Sequence, residues 1–100
     1  MFRGTTPTLK FNLPFDVSLI DTVWVTFSQN NKEIFTIETA DCVLEETSVT
    51  TKLTQKQTLM LKEGTYVEVQ VRVLTDYGDA LVSCVMKTFV NKILKDGEII

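Results

Sequence analysis

The chain contains no histidine, and its two cysteines, Cys42 and Cys84, stand far apart with no CxxC pair. Without histidine the commonest general base is missing, and with it the activation of serine or cysteine nucleophiles by an imidazole. Two isolated cysteines do not supply the ligands of a structural zinc site. The four glycines, Gly4, Gly64, Gly78 and Gly97, stand singly, so no Gly-rich loop is present to cradle a phosphate. Ten Lys and Arg against thirteen Asp and Glu give a net charge of −3. The basic residues are spread thinly, which argues against nucleic acid as a partner. No apolar run approaches the roughly 20 residues that span a bilayer, so no membrane contact is expected either. The opening residues Met1-Phe2-Arg3-Gly4-Thr5-Thr6 hold no apolar signal-peptide core. The expectation is a protein made and kept in the cytoplasm, or exported only as part of an assembly. In that setting both cysteines are expected to be reduced core residues, a bridge between two sheets being the alternative. No cofactor or metal is expected.

What the chain does have is alternation. It holds 100 residues, 44% hydrophobic and 23% charged, the make-up of one soluble-type domain spanning residues 1–100. Thr65–Val90 is its densest segment. Val67, Val69, Val71 and Val73 fall on alternate positions, which gathers them on one side only if the backbone is extended. A turn at Asp76-Tyr77-Gly78-Asp79, with Gly78 as the left-handed residue, leads into a second arm, Leu81–Val90. The pair predicts a long β-hairpin on which the rest packs.

Before that hairpin, Leu9, Phe11 and Leu13 alternate with Lys10 and Asn12 and read as a first strand. Asp16 can cap a short turn through Val17-Ser18-Leu19. Val23, Val25 and Phe27 alternate with Trp24, Thr26 and Ser28 in a second strand, which sends Trp24 to the opposite face. That ring either covers a neighbouring strand or offers a contact surface. Asn30-Asn31 predicts a tight turn into a third strand with imperfect alternation, Ile34, Phe35 and Ile37. Two short strands follow, Cys42-Val43-Leu44 and Ser48–Leu53, the second with Val49, Thr51 and Leu53 on one face. Thr54 and Gln57 have capping-box spacing, so Gln55–Leu59 is predicted to be a helical turn anchored by Leu59 and Leu61. The total is about seven strands and one helical turn: an all-β, immunoglobulin-like antiparallel sandwich.

Three features point outward. The second arm reads as apolar on both faces, with Ala80, Val82, Cys84, Met86 and Val90 on one parity and Leu81, Val85 and Phe89 on the other. Such a strand is central and covered twice, or one face is buried by another chain. Ile93-Leu94 is expected to close the core. Ile99-Ile100 either frays or docks on a neighbouring subunit. Trp24, Leu81, Val85, Phe89, Ile99 and Ile100 are therefore the candidate protein-interface residues, and Tyr77 at the hairpin tip is a candidate ligand contact. Loop carboxylates occur at Asp41, Glu45 and Glu46 and at Asp76 and Asp79. Their placement suits turn formation and solubility better than a glycosidase-like pair or a calcium loop.

Arg3-Gly4-Thr5-Thr6-Pro7-Thr8, Leu13-Pro14-Phe15-Asp16, Thr26-Phe27-Ser28-Gln29-Asn30, Lys52-Leu53-Thr54-Gln55 and Val69-Gln70-Val71-Arg72-Val73-Leu74-Thr75 together give the whole chain a resemblance. It resembles small prophage-encoded proteins of Gram-positive gut bacteria, phage structural or tail-associated in type and without an assigned activity. The resemblance implies a β-sandwich that is not an enzyme and works in or beside virion assembly, at the tail or baseplate. The implied partners are further copies of itself or other phage structural proteins. An adhesin-like domain recognising a carbohydrate through Trp24 and Tyr77 is the alternative, and a small hydrolase using loop carboxylates comes third.

Overall fold

The computed structural model describes residues Met1–Ile100. Eight strands form: β1 (Thr8–Asn12), β2 (Ile20–Gln29), β3 (Lys32–Glu38), β4 (Val43–Glu45), β5 (Ser48–Lys52), β6 (Tyr66–Thr75), β7 (Ala80–Val82) and β8 (Met86–Phe89). One short helix, α1 (Gln55–Leu59), lies between β5 and β6. The strands build two antiparallel sheets. One has the order β1-β5-β4; the other runs β3-β2-β6-β7, with β8 also on β6. In immunoglobulin lettering these orders correspond to B-E-D and C′-C-F-G, so β6 takes the place of F and β7 with β8 that of G. The all-β sandwich expected from alternation is the observed architecture.

Local chemistry explains each joint. Asp16 accepts a hydrogen bond from the Ser18 backbone N–H at 2.8 Å and caps a single 3-10 turn at Val17–Leu19. Asn30 and Asn31 both have positive φ, 52° and 62°, the geometry that a two-residue hairpin turn needs for its twist to match the flanking strands. In α1 the capping box is complete: Gln57 N–H donates to Thr54 Oγ1, and Thr54 N–H donates to Gln57 Oε1. Five residues of helix are too few to stand alone. Arg3 holds the far end, its Nε and Nη2 donating to the carbonyls of Leu61 and Leu59 at 2.8 and 2.9 Å. Its Nη1 reaches Asp96 at 3.0 Å.

The core lies between the sheets. Val23, Val25 and Phe27 of β2 stand in register with Val73, Val71 and Val69 of β6, and all six are buried. Phe27 stacks on Phe35 with ring centroids 4.5 Å apart. Val49, Leu53 and Leu61 close the other side, with Leu9, Phe11 and Leu44 packed against them. Buried polar groups are paired without exception. Gln29, for instance, trades two hydrogen bonds with the Lys62 backbone, at 2.7 and 2.8 Å. An unpaired amide at that depth would cost about 1–3 kcal/mol.

The second arm of the long hairpin departs from expectation. It is not one strand covered on both faces but an exposed edge, broken at Ser83-Cys84-Val85. Arg72 faces Val82 and Val73 faces Leu81, yet Val69 faces Met86 where unbroken pairing would bring Val85. One extra residue has been inserted, a β-bulge. Ser83 makes it possible: its N–H donates to Val71 O while its hydroxyl accepts from Val71 N–H, replacing a ladder carbonyl. Because facing alternates residue by residue, an extra residue exchanges the two sides of everything after it. Leu81 and Met86, on opposite parities in the sequence, therefore share the inner face. Ala80, Val82, Lys87 and Phe89 share the outer one. Two further expectations fail. Cys84 is exposed rather than part of the core, although Cys42 does pack beside it and both thiols are free. Leu94 projects into solvent, leaving Ile93 alone to pack near Gly4. The break also raises the strand number from about seven to eight.

Two outcomes test this description. Phe27→Ala should lower unfolding stability by about 3–5 kcal/mol with an unchanged denaturant slope. A loss below about 1 kcal/mol would mean that the inter-sheet packing is not as described. The Ser18 backbone N–H and hydroxyl hold the Asp16 carboxyl below its ordinary value of 3.8. A group depressed on folding stabilises the fold above its unfolded value and loses that contribution as pH falls through its folded value. A carboxyl NMR titration of Asp16 should therefore give a midpoint under 3.8; a midpoint at or above it contradicts the cap.

Candidate functional site: the outer face of the five-stranded sheet

Strand register fixes which side chains share the solvent face of the β3-β2-β6-β7/β8 sheet, because residues of one face recur every second position. Thr22 stands beside Leu74 and Ala80. The next row is Glu38, Trp24, Arg72 and Val82. After it come Thr36, Thr26 and Gln70, then Glu33, Ser28, Glu68 and Lys87. Tyr66 and Phe89 end the face as an edge-to-face pair with centroids 5.4 Å apart.

A second bulge shapes this grid. Between Phe27 and Ser28 the pairing of β2 with β3 slips, so that Phe27 faces Phe35 but Ser28 faces Glu33. Ile34, the extra residue, packs against the core. Glu33 turns outward, where its carboxylate accepts from Thr36 Oγ1 at 2.6 Å. Thr36 in turn lies 3.0 Å from Thr26 Oγ1. The imperfect alternation of the third strand is the sequence trace of this bulge.

Trp24 and Arg72 divide the face. The guanidinium carbon of Arg72 sits 5.5 Å from the centre of the Trp24 ring, an approach that attracts a cation to the ring face. Trp24 remains 41% exposed. On one side of the pair is an apolar hollow of about 290 Å³, edged by Leu74, Ala80 and Leu81. On the other is a polar cleft of about 490 Å³, lined by Thr26, Thr36, Glu33, Glu38 and Gln70.

The candidate interface residues thus divide. Trp24, Val85 and Phe89 come to this outer face, Val85 beside Thr26, Ser28, Glu68 and Gln70. Leu81 belongs to the inner face but borders the apolar hollow with Trp24, and it also reaches a groove of about 280 Å³ against Leu13 and Phe15. Ile99 and Ile100 lie elsewhere. Both side chains are exposed, and the Ile99 backbone exchanges two hydrogen bonds with the Gln55 side chain. Tyr77 is 83% exposed in the tip beyond the Leu74–Ala80 row, outside either hollow. Sequence reading missed Arg72, Glu38, Glu33 and Gln70 as companions of Trp24. The signal for Arg72 and Gln70 was the polar parity of β6; the two glutamates needed the β2–β3 register. The acidic side chains at Asp76 and Asp79 and at Asp41, Glu45 and Glu46 gather no group of three that could hold a metal ion. No helix is long and apolar enough to cross a membrane.

The two thiols differ in setting. Burial, with the Asp41 carboxylate adding to it, pushes the Cys42 thiol up, so less of it is thiolate, the reactive form. Limited alkylation at pH 8 followed by peptide mass spectrometry should modify exposed Cys84 well before Cys42; equal rates would contradict the packing of Cys42. Compared with protein-family models, with curated proteins and with solved structures, the chain matches none.

Proposed function

We propose that this protein is a non-enzymatic phage structural or assembly module, tail- or baseplate-associated, that works by self-association or by docking on other virion proteins. The observation that carries this reading is the exposed margin formed by β7 and β8. Leu81, Val82, Val85, Met86 and Phe89 are all at least a third exposed, on a sheet edge with no neighbouring strand. Large apolar groups clustered on an edge mark an interaction surface or an aggregation hazard. The bulge at Ser83–Val85 twists the edge away from open-ended strand pairing, which favours a side-chain interface over a fibre. The phage setting comes from the sequence resemblance, and a second copy of the chain is the simplest partner.

An adhesin-like role is the second reading, favoured by the projecting ring of Tyr77. On that reading a Tyr77→Ala variant loses binding to host cells, whereas an unchanged variant removes it.

For self-association, multi-angle light scattering at high micromolar concentration should show a species larger than the 11.3 kDa chain. Val85→Lys and Phe89→Lys should each weaken association by roughly ten- to a hundredfold, the equivalent of about 1.5–3 kcal/mol of lost apolar burial. A parent protein that stays monomeric and recovers no partner from phage particles sinks the proposal.

A further inference from the structure

We infer that the polar cleft beside Trp24 is a binding site for a neutral saccharide. The cleft is lined by β3, β2 and β6 alone, and it meets the β7–β8 margin only where Thr26 and Gln70 lie beside Val85. It is also separate from the Tyr77 tip.

The cleft is built from three strands. Glu38 and Glu33 come from β3, Trp24 and Thr26 from β2, and Gln70 and Arg72 from β6, with Thr36 between the two glutamates. Its footprint follows from sheet geometry. Trp24 and Ser28 are two rows apart, roughly 13 Å along the strand, and β3 to β6 is roughly 10 Å across. That is the size of a short oligosaccharide lying flat on the sheet.

The donor and acceptor set is mixed, as a sugar requires. Glu33 and Glu38 supply carboxylate acceptors. Gln70 uses one N–H on the Ser83 carbonyl at 3.1 Å, which keeps its Oε1 and its other N–H for a ligand. Arg72 makes no ion pair and carries five N–H donors. The Thr36 proton goes to Glu33 and the Thr26 proton to Thr36, which leaves these hydroxyls as acceptors for a ligand. A pyranose presents hydroxyls that both donate and accept, together with a flat C–H face. Trp24 is 41% exposed at the end of the cleft, and the part of its indole that Arg72 leaves open supplies apolar surface for that face.

Other ligand classes fit less well. Two carboxylates against one guanidinium disfavour an anion. Five of the seven lining residues carry no aromatic or aliphatic surface beyond a methyl or a short stem, so a purely apolar ligand leaves polar groups unpaired, at a cost. A basic peptide could satisfy Glu33 and Glu38 but would face Arg72 across the cleft. The β3 bulge adds a structural argument: it spends strand regularity to turn Glu33 outward onto Thr36, and bulges recur where a sheet re-aims a side chain toward a site.

Nitrogen-15 NMR titrations with β-1,4-linked glucose and N-acetylglucosamine tetrasaccharides test the assignment. Saturable shifts are expected at the Trp24 indole N–H, the Gln70 side-chain amide and the Thr26 and Thr36 backbone amides. Trp24→Ala should abolish them. Glu38→Gln, a milder change at an exposed position, should raise the dissociation constant about tenfold, in line with loss of a hydrogen bond to a charged group. A well-dispersed spectrum of each variant establishes that it is folded. Absence of saturable shifts with both sugars at millimolar concentration overturns the inference. So do shifts that survive Trp24→Ala, and so does a lysine-rich peptide that moves these resonances when neither sugar does.

Discussion

The pairing of β2 with β6 is the constraint on which everything else depends. It sets Val23, Val25 and Phe27 against Val73, Val71 and Val69 in one buried layer. Burying four β6 valines at about 1.5–3 kcal/mol each is comparable with the net stability of an entire domain. A slip of one residue would put every one of them into water. The register that buries the valines also places Trp24 beside Arg72 and Thr26 beside Gln70 on the opposite face. Core and surface site are two readings of one ladder.

Irregularity does the rest of the positioning. Regular alternation alone would send Ile34 outward and Glu33 inward; the bulge in β3 reverses both, placing an apolar side chain on the core and a carboxylate against Thr36. In the second arm, the bulge built around the Ser83 hydroxyl leaves Leu81 and Met86 inside with Lys87 and Phe89 outside. The two bulges lie at opposite margins of the same sheet, one flanking the polar cleft and the other the apolar edge. The central strands between them supply Trp24, Thr26, Gln70 and Arg72, and the bulged margins add Glu33 on one side and the apolar edge on the other.

Much of this was legible in the chain. The valine row, the Asn30-Asn31 turn, the Asp16 cap and the Thr54–Gln57 capping box are each determined by neighbours in sequence, and each is present. What was not legible depends on pairing between distant strands. Counting parity from Ala80 to Val90 assumes an unbroken ladder, so the arm looked apolar on both faces and fit for the middle of a sheet. Nothing local marks Ser83 as the residue whose hydroxyl stands in for a carbonyl. Residue type alone would place Cys84 and Leu94 in the core, whereas the structure exposes both. For the candidate site, Trp24 was visible as an outward aromatic, but its companions Glu38 and Arg72 lie 14 and 48 positions away in the numbering and meet it only through register.

The bulge at Ser83–Val85 has a consequence for how this sequence can change its length. Deleting one residue between Val82 and Met86 would restore a continuous ladder, and the segment beyond would exchange its sides. Phe89 and Lys87 would then face the interior, while Met86 and Thr88 would turn toward solvent. Inserting one residue would produce the same exchange unless a second irregularity absorbed it. Changes of two residues would preserve the facing of each side chain. Length variation in this short stretch is therefore subject to an even–odd rule, and a related chain that breaks the rule should carry a compensating reversal of polar and apolar residues from position 86 onward.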